Sequence, residues 1–170
     1  MTTQQETMRK LINLLEAVDT EQADGKFVPP TDPKEQEALR RFEKAAQSLE
    51  EGWKQVAAAG ALSLATLFSG IAHAANPGGL IDTSSPAAAA QSCSMIMDVA
   101  ISNNMIPNNL LDIAGHARDT YGKAVIDSGY DHPETRGAIQ QARAYTKGKL
   151  QATDRATVLN AASTCVQAMR

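Results

Sequence analysis

Aromatic residues are scarce in this chain: one Trp, three Tyr and three Phe make up 4% of 170 residues. A core built on large rings is therefore excluded, and the apolar interior must come from Leu, Ile, Val, Met and Ala. Hydrophobic residues reach 43%, but much of that is alanine. Such a composition favours helix over sheet. An excess of positive charge is missing too, since the formal net charge is −3. A weakly acidic chain is not steered onto nucleic acid or anionic lipid. Its cations are dispersed, with no basic cluster interleaved with aromatics, so no nucleic-acid partner is expected.

Catalytic and metal-binding patterns are equally sparse. His73, His116 and His132 are scattered, without His-X-His or Glu-X-X-His spacing, so no metal site and no cofactor is expected. There is no Gly-X-Ser-X-Gly, no phosphate-cradling glycine loop and no Cys-X-X-Cys. Asp127, Asp131 and Glu134 gather near Tyr130 around a turn. A carboxylate pair there can do acid–base work or hold Ca²⁺, but helix capping and solvation account for it more simply. The chain reads as non-enzymatic.

Cysteine is limited to Cys93 and Cys165. Two such residues are either buried thiols, as in a cytosolic protein, or a disulfide in an oxidising compartment. The segment that bears on the compartment is Val56–Ala75, VAAAGALSLATLFSGIAHAA, which contains no charged residue. It follows Lys54 and ends in Ala72-His73-Ala74, with small residues at −3 and −1 of a cut after Ala74, the pattern of a signal-peptide cleavage site. Its length also suffices to cross a bilayer, which takes about 20 residues, though Gly60, Ser63, Thr66, Ser69 and Gly70 make it a weak anchor. Arg40, Arg41, Lys44 and Lys54 precede it, and no Lys or Arg recurs before Arg118. That asymmetry places the N-terminal side in the cytoplasm and the C-terminal side across the membrane. The alternative is an Ala-rich core helix of a soluble fold.

Before this segment two helices are expected. Met8, Leu11, Ile12, Leu15 and Val18 share one helical face. A second helix starts at Asp32-Pro33-Lys34-Glu35, with Asp32 as cap, Pro33 at the first helical position and Glu35 completing a capping-box-like pair. In it Leu39, Phe42, Ala46, Leu49, Trp53 and Val56 recur at spacings of three and four, a seam for a neighbouring helix or for a partner. The run Met8-Arg9-Lys10-Leu11-Ile12-Asn13-Leu14-Leu15-Glu16-Ala17 resembles the capsid-targeting propeptides of T4-like phage internal head proteins. The prohead protease removes those by cutting after Glu in a Leu/Ile-X-Glu context before a small residue. Leu14-Leu15-Glu16 before Ala17 fits that rule, and so does Leu49-Glu50-Glu51 before Gly52. The resemblance covers only about the first tenth of the chain, and the rule is loose. It implies a phage-encoded, virion-associated protein. A cut after Glu51 would leave Gly52-Trp53-Lys54-Gln55 ahead of the apolar run, the ordinary layout of a signal peptide.

After the segment, Asn76-Pro77-Gly78-Gly79 is a break, and Ser85 caps a helix from Pro86 to about Ser102 with Cys93, Ile96, Met97, Ala100 and Ile101 on one face. A helix from Pro107 to Ser128 groups Leu110, Leu111, Ala114, Ala117, Tyr121, Ala124 and Val125. One opening at His132-Pro133 groups Ile139, Ala142 and Tyr145. The last, opening at Thr153-Asp154, groups Val158, Leu159, Ala162, Cys165, Val166 and Met169. Both cysteines lie on apolar stripes, so in an oxidising compartment they pair. Closing so long a loop contributes about 4 kcal/mol. A helical cysteine near each end of a small domain resembles the HdeA-like family of periplasmic helical proteins, and Tyr130-Asp131-His132-Pro133 is similar to a Tyr-X-X-Pro corner in that group. The cysteine spacing departs from that family, which leaves an architectural likeness. Phage periplasmic immunity proteins of the Spackle type share the outline of a signal peptide and a disulfide-closed helical domain.

The expected protein is thus all-α: a disulfide-stapled bundle over residues 86–170, a linker over 76–85, a signal-like or membrane-inserting segment over 55–75 and a helical extension over 1–54. Two functions stay open. One is an exported binding or inhibitory module for a protein partner, as in superinfection exclusion. The other is a structural, membrane-inserting or ejection-type virion protein that oligomerises through its N-terminal helices.

Overall fold

The chain past Gly25 builds helices wherever apolar residues recur at three and four, and Pro, Gly and Asn separate them. A computed structural model describes residues 26–56 and 64–170, the side chains of 53–56 and of Leu64 excepted. Helix α1 spans Pro33–Val56 and α2 Leu64–Ala72. A 3₁₀ turn at Pro77–Gly79 leads to α3 (Pro86–Ser102). A second at Asn108–Leu110 leads to α4 (Leu111–Asp127), followed by α5 (Pro133–Leu150) and α6 (Arg155–Gln167). Among the described residues there is no strand. The expected N-terminal helix around Met8–Val18, with the cleavage residues Glu16 and Ala17, lies outside the described residues, as does part of Val56–Ala75.

Local chemistry accounts for the boundaries. Ser85 accepts a hydrogen bond from Ala88 N (3.1 Å) at the start of α3, with Pro86 at the first helical position. Asp154 accepts from Thr157 N (2.8 Å) at the start of α6. Asp32 Oδ1 accepts from Lys34 N (2.7 Å) at the start of α1. The expected capping partner Glu35 instead faces Arg155 of α6 at 3.9 Å. Gly78 and Gly79 both hold positive φ, 63° and 61°. Only glycine takes two such residues in succession without strain.

Helix α1 lies along α6, α3 packs against both α4 and α5, and α2 sits on α3 and α6. The residues expected to belong to extension, signal-like segment and outer domain contribute to one apolar core. Phe42, Ala45, Ala46 and Leu49 of α1, Leu67 and Ile71 of α2, and Leu80 and Ile81 of the linker join Cys93, Ile96, Met97, Ala117, Tyr121, Val158 and Val166. Leu39 packs with Leu159 in an adjoining cluster. Among the described residues no helix is long and apolar enough to cross a membrane, so a transmembrane or signal helix is not part of the described architecture.

One expected core residue is placed differently. Tyr145 of α5 is 42% exposed, because its hydroxyl reaches out to donate to Gly79 O (2.8 Å). Its neighbour Thr146 takes the buried position. Its hydroxyl has partners there: Ser92 Oγ at 2.8 Å and Leu80 O at 3.1 Å. Asp82 N donates to the same Ser92 Oγ at 3.0 Å. A buried hydroxyl is tolerated only with such partners, and this set fixes the linker to α3 and α5.

Candidate functional site

The two cysteines meet in the interior. Cys93 on α3 and Cys165 on α6 are both fully buried, and their Cα atoms are 5.6 Å apart, joined as a disulfide. The distance falls inside the window of about 4.4–6.8 Å that a bridge demands. It is the consequence of both residues lying on core-facing stripes of helices that pack together.

Beside the bridge, Tyr121 of α4 is fully buried and donates its hydroxyl to Cys165 O at 2.6 Å. Cys165 lies in the last turn of α6, where carbonyls run out of intrahelical donors. The N–H four residues on, that of Met169, donates instead to Val166 O (3.2 Å). Tyr121 therefore occupies an acceptor that the helix end leaves over. Burial pushes its hydroxyl well above the ordinary tyrosine range, so the proton stays on and the bond holds at any ordinary pH. Disulfide and tyrosine together tie α3, α4 and α6 at one point.

The residues that sequence singled out for acid–base or metal chemistry do not converge. Asp127 is within 4.0 Å of Lys123, one turn back on α4. The Tyr130 ring is covered by the Arg136 guanidinium, 5.5 Å from its centroid, and Arg136 donates to the carbonyls of Tyr130 and Asp131, both at 3.2 Å. Glu134 lines a shallow open depression of about 400 Å³ with Ser85, Pro86, Ala87, Ser128, Thr135 and Ala138. His73 Nδ1 lies 2.9 Å from Ser69 O. His132 is the residue preceding α5. Among the described residues no group of three or more His, Cys, Asp or Glu is placed to hold a metal ion. What the turn around Tyr130 shows is an i,i+4 ion pair, a cation–aromatic contact and side-chain bonds to its own backbone.

The expected helix seam is used inside the chain. Leu39, Phe42 and Leu49 are buried as α1 packs along α6. Trp53 belongs to α1, and its side chain lies outside the described ones. Glu51 and Gly52 are within α1 as well. A residue that the sequence did not single out latches the start of this helix. Arg155 donates to Val28 O (2.6 Å), lies 3.9 Å from Glu35 and stands 5.8 Å over the Phe27 ring. Only the pairing of α1 with α6 brings these groups together, so spacing along the chain carries no trace of it.

The signal-like site is also placed by the fold. Ala72 is the last residue of α2, and Ala74 follows it in the turn before the linker. On α2, Leu67 and Ile71 are buried, and Gly70 lies so close to Ala168 that a Cβ would stand 2.9 Å from its Cα. Compared with known protein families, curated proteins and solved structures, the chain matches none.

Proposed function

We propose that this protein is an exported, non-enzymatic helical module that binds or inhibits a protein partner, encoded by a phage and carried in the virion or placed in the periplasm. The observation that carries the reading is the fully buried Cys93–Cys165 pair at the junction of three helices. Disulfides persist in oxidising compartments and are rare in the reducing cytosol. The phage assignment leans on the propeptide-like start of the chain, and the periplasmic one on the charge asymmetry around Val56–Ala75.

The alternative, a membrane-inserting virion component that oligomerises through its N-terminal helices, needs Leu39, Phe42 and Leu49 available to another chain. Their burial within this chain supports the binding module instead. Intact-mass measurement of the protein recovered from periplasm, virions and cytosol tests the reading. The disulfide form, lighter by two hydrogens, is expected in the first two fractions. Free thiols in a purely cytosolic pool overturn it.

A further inference from the structure

The Ala72-His73-Ala74 site and the helix that leads into it have two incompatible uses. A peptidase reads its substrate as an extended strand whose backbone groups are free to pair. In the folded chain one backbone group on each side of the Ala74–Ala75 bond is taken, and neighbouring side chains pin the turn. Ala72 is still helical, and Ala74 N donates to Ile71 O at 3.1 Å. His73 Nδ1 is within 2.9 Å of Ser69 O. Beyond the bond, Thr164 Oγ1 on α6 donates to Ala75 O (3.0 Å). Asn76 makes two bonds to the backbone of Ile81, 2.8 Å through Nδ2 and 3.0 Å through Oδ1.

The helix upstream is held more firmly still. Leu67 and Ile71 are buried at 1% and 2% exposure, and Gly70 lets the α2 backbone approach Ala168 closely. Ala72 and His73 are themselves exposed, but an extended strand that reaches back past them draws Ile71 out of the core and loosens α2 from α3 and α6. Proteolysis of a folded protein follows the population of the opened state, and here the opening includes core residues.

We propose that Ala74–Ala75 is a conditional processing site: open to a signal peptidase only before the domain folds, and closed once the bundle has taken α2 into its core. Two products follow from one chain. Processing first yields a chain that starts at Ala75 and lacks α1 and α2. Folding first yields the uncut chain, with Leu64–Ala72 packed on the bundle through Leu67 and Ile71. The proposal rests on the export reading above and specifies which form that export delivers.

Purified type I signal peptidase in detergent provides the test, with three substrates and one control variant. The substrates are the oxidised full chain, the oxidised Gly70→Val full chain and a synthetic peptide of residues 56–80. The peptide, which has no fold, is expected to be cut between Ala74 and Ala75, while the oxidised full chain is cut at least about tenfold more slowly. In Gly70→Val the new side chain meets the Ala168 backbone and dislodges α2, so cleavage rises toward the peptide's rate while the disulfide mass is kept. Gly115→Ala, placed where a Cβ has nothing within 4 Å, should leave the full chain resistant. Equal cutting of peptide and full chain overturns the proposal. So does an uncut peptide, since the sequence is then no substrate. So does a Gly70→Val chain as resistant as the parent. Failure of the export reading shows separately, as free thiols at Cys93 and Cys165 in cells, whatever the peptidase does.

Discussion

At the scale of single residues, the fold depends on polar groups that find partners at helix ends. Tyr121 supplies a donor to Cys165 O, whose helical donor is engaged elsewhere. Tyr121→Phe keeps the ring and removes the donor, leaving a buried carbonyl unpaired. Such a loss costs about 1–3 kcal/mol, and urea unfolding of the oxidised variant should show a lower midpoint with the slope unchanged. Asp154 works at the opposite end of the same helix. Its carboxylate accepts from the Thr157 backbone N–H, the chief cause of a pKa below the ordinary aspartate value, with the Thr157 hydroxyl adding to it. The charged form is the one that caps. Its contribution is present above the unfolded aspartate pKa, about 3.9, and is lost as pH falls through the lower folded value. Unfolding midpoints between about pH 6 and pH 2 should therefore fall more steeply in the parent than in Asp154→Asn.

At the scale of elements, the informative pair is α1 on α6. The α1 seam was legible as a stripe, and its cap was legible in Asp32-Pro33. What covers the stripe was not, because a stripe records which residues need burial and not which surface buries them. Phe42 is fully buried in that contact. Phe42→Ala should cost about 3–5 kcal/mol through lost burial and an unfilled cavity, read by chemical denaturation. A far smaller loss would mean that α1 packs only loosely on the bundle. Helix α3 shows the opposite case. Ser85-Pro86 and Asn103-Asn104 bracket it in sequence, and the structure has Pro86–Ser102 with Asn103 as its C-terminal cap. In α5, periodicity pointed to Tyr145 for the interior, yet the chain buries Thr146. A hydroxyl enters a core when its partners, here Ser92 and Leu80 O, are already there, and those partners are far away in sequence.

At the scale of the whole molecule, one bridge closes most of the bundle. The cysteines are 72 residues apart, and a loop of that size restrains the unfolded chain by about 4 kcal/mol. An Ala-rich core with few large side chains has little to replace it. Thermal unfolding of the Cys93→Ser/Cys165→Ser double variant should show a markedly lower Tm than the oxidised parent. The reduced parent should fall between them or match the variant. A variant as stable as the parent would show that the apolar contacts alone carry the fold.

Sequence by itself determined the helical class, the caps and the stripes. Each of these is decided within a turn or two of the chain: a hydroxyl or carboxylate next to free N–H groups, a proline at a first position, a repeat that matches the helical turn. It also determined that the two cysteines would face inward, which made the bridge legible before any contact was known. Tertiary structure alone decided that Leu64–Ala72, within the stretch that has the look of a signal peptide, packs on α3 and α6, and that α1 lies against α6. An apolar segment without charge is suited equally to lipid and to a protein interior, since both remove it from water. In the folded chain its described part, Leu64–Ala72, takes the second use through Gly70 against Ala168 and through Leu67 and Ile71 in the core, contacts that exist only when helices distant in sequence come together.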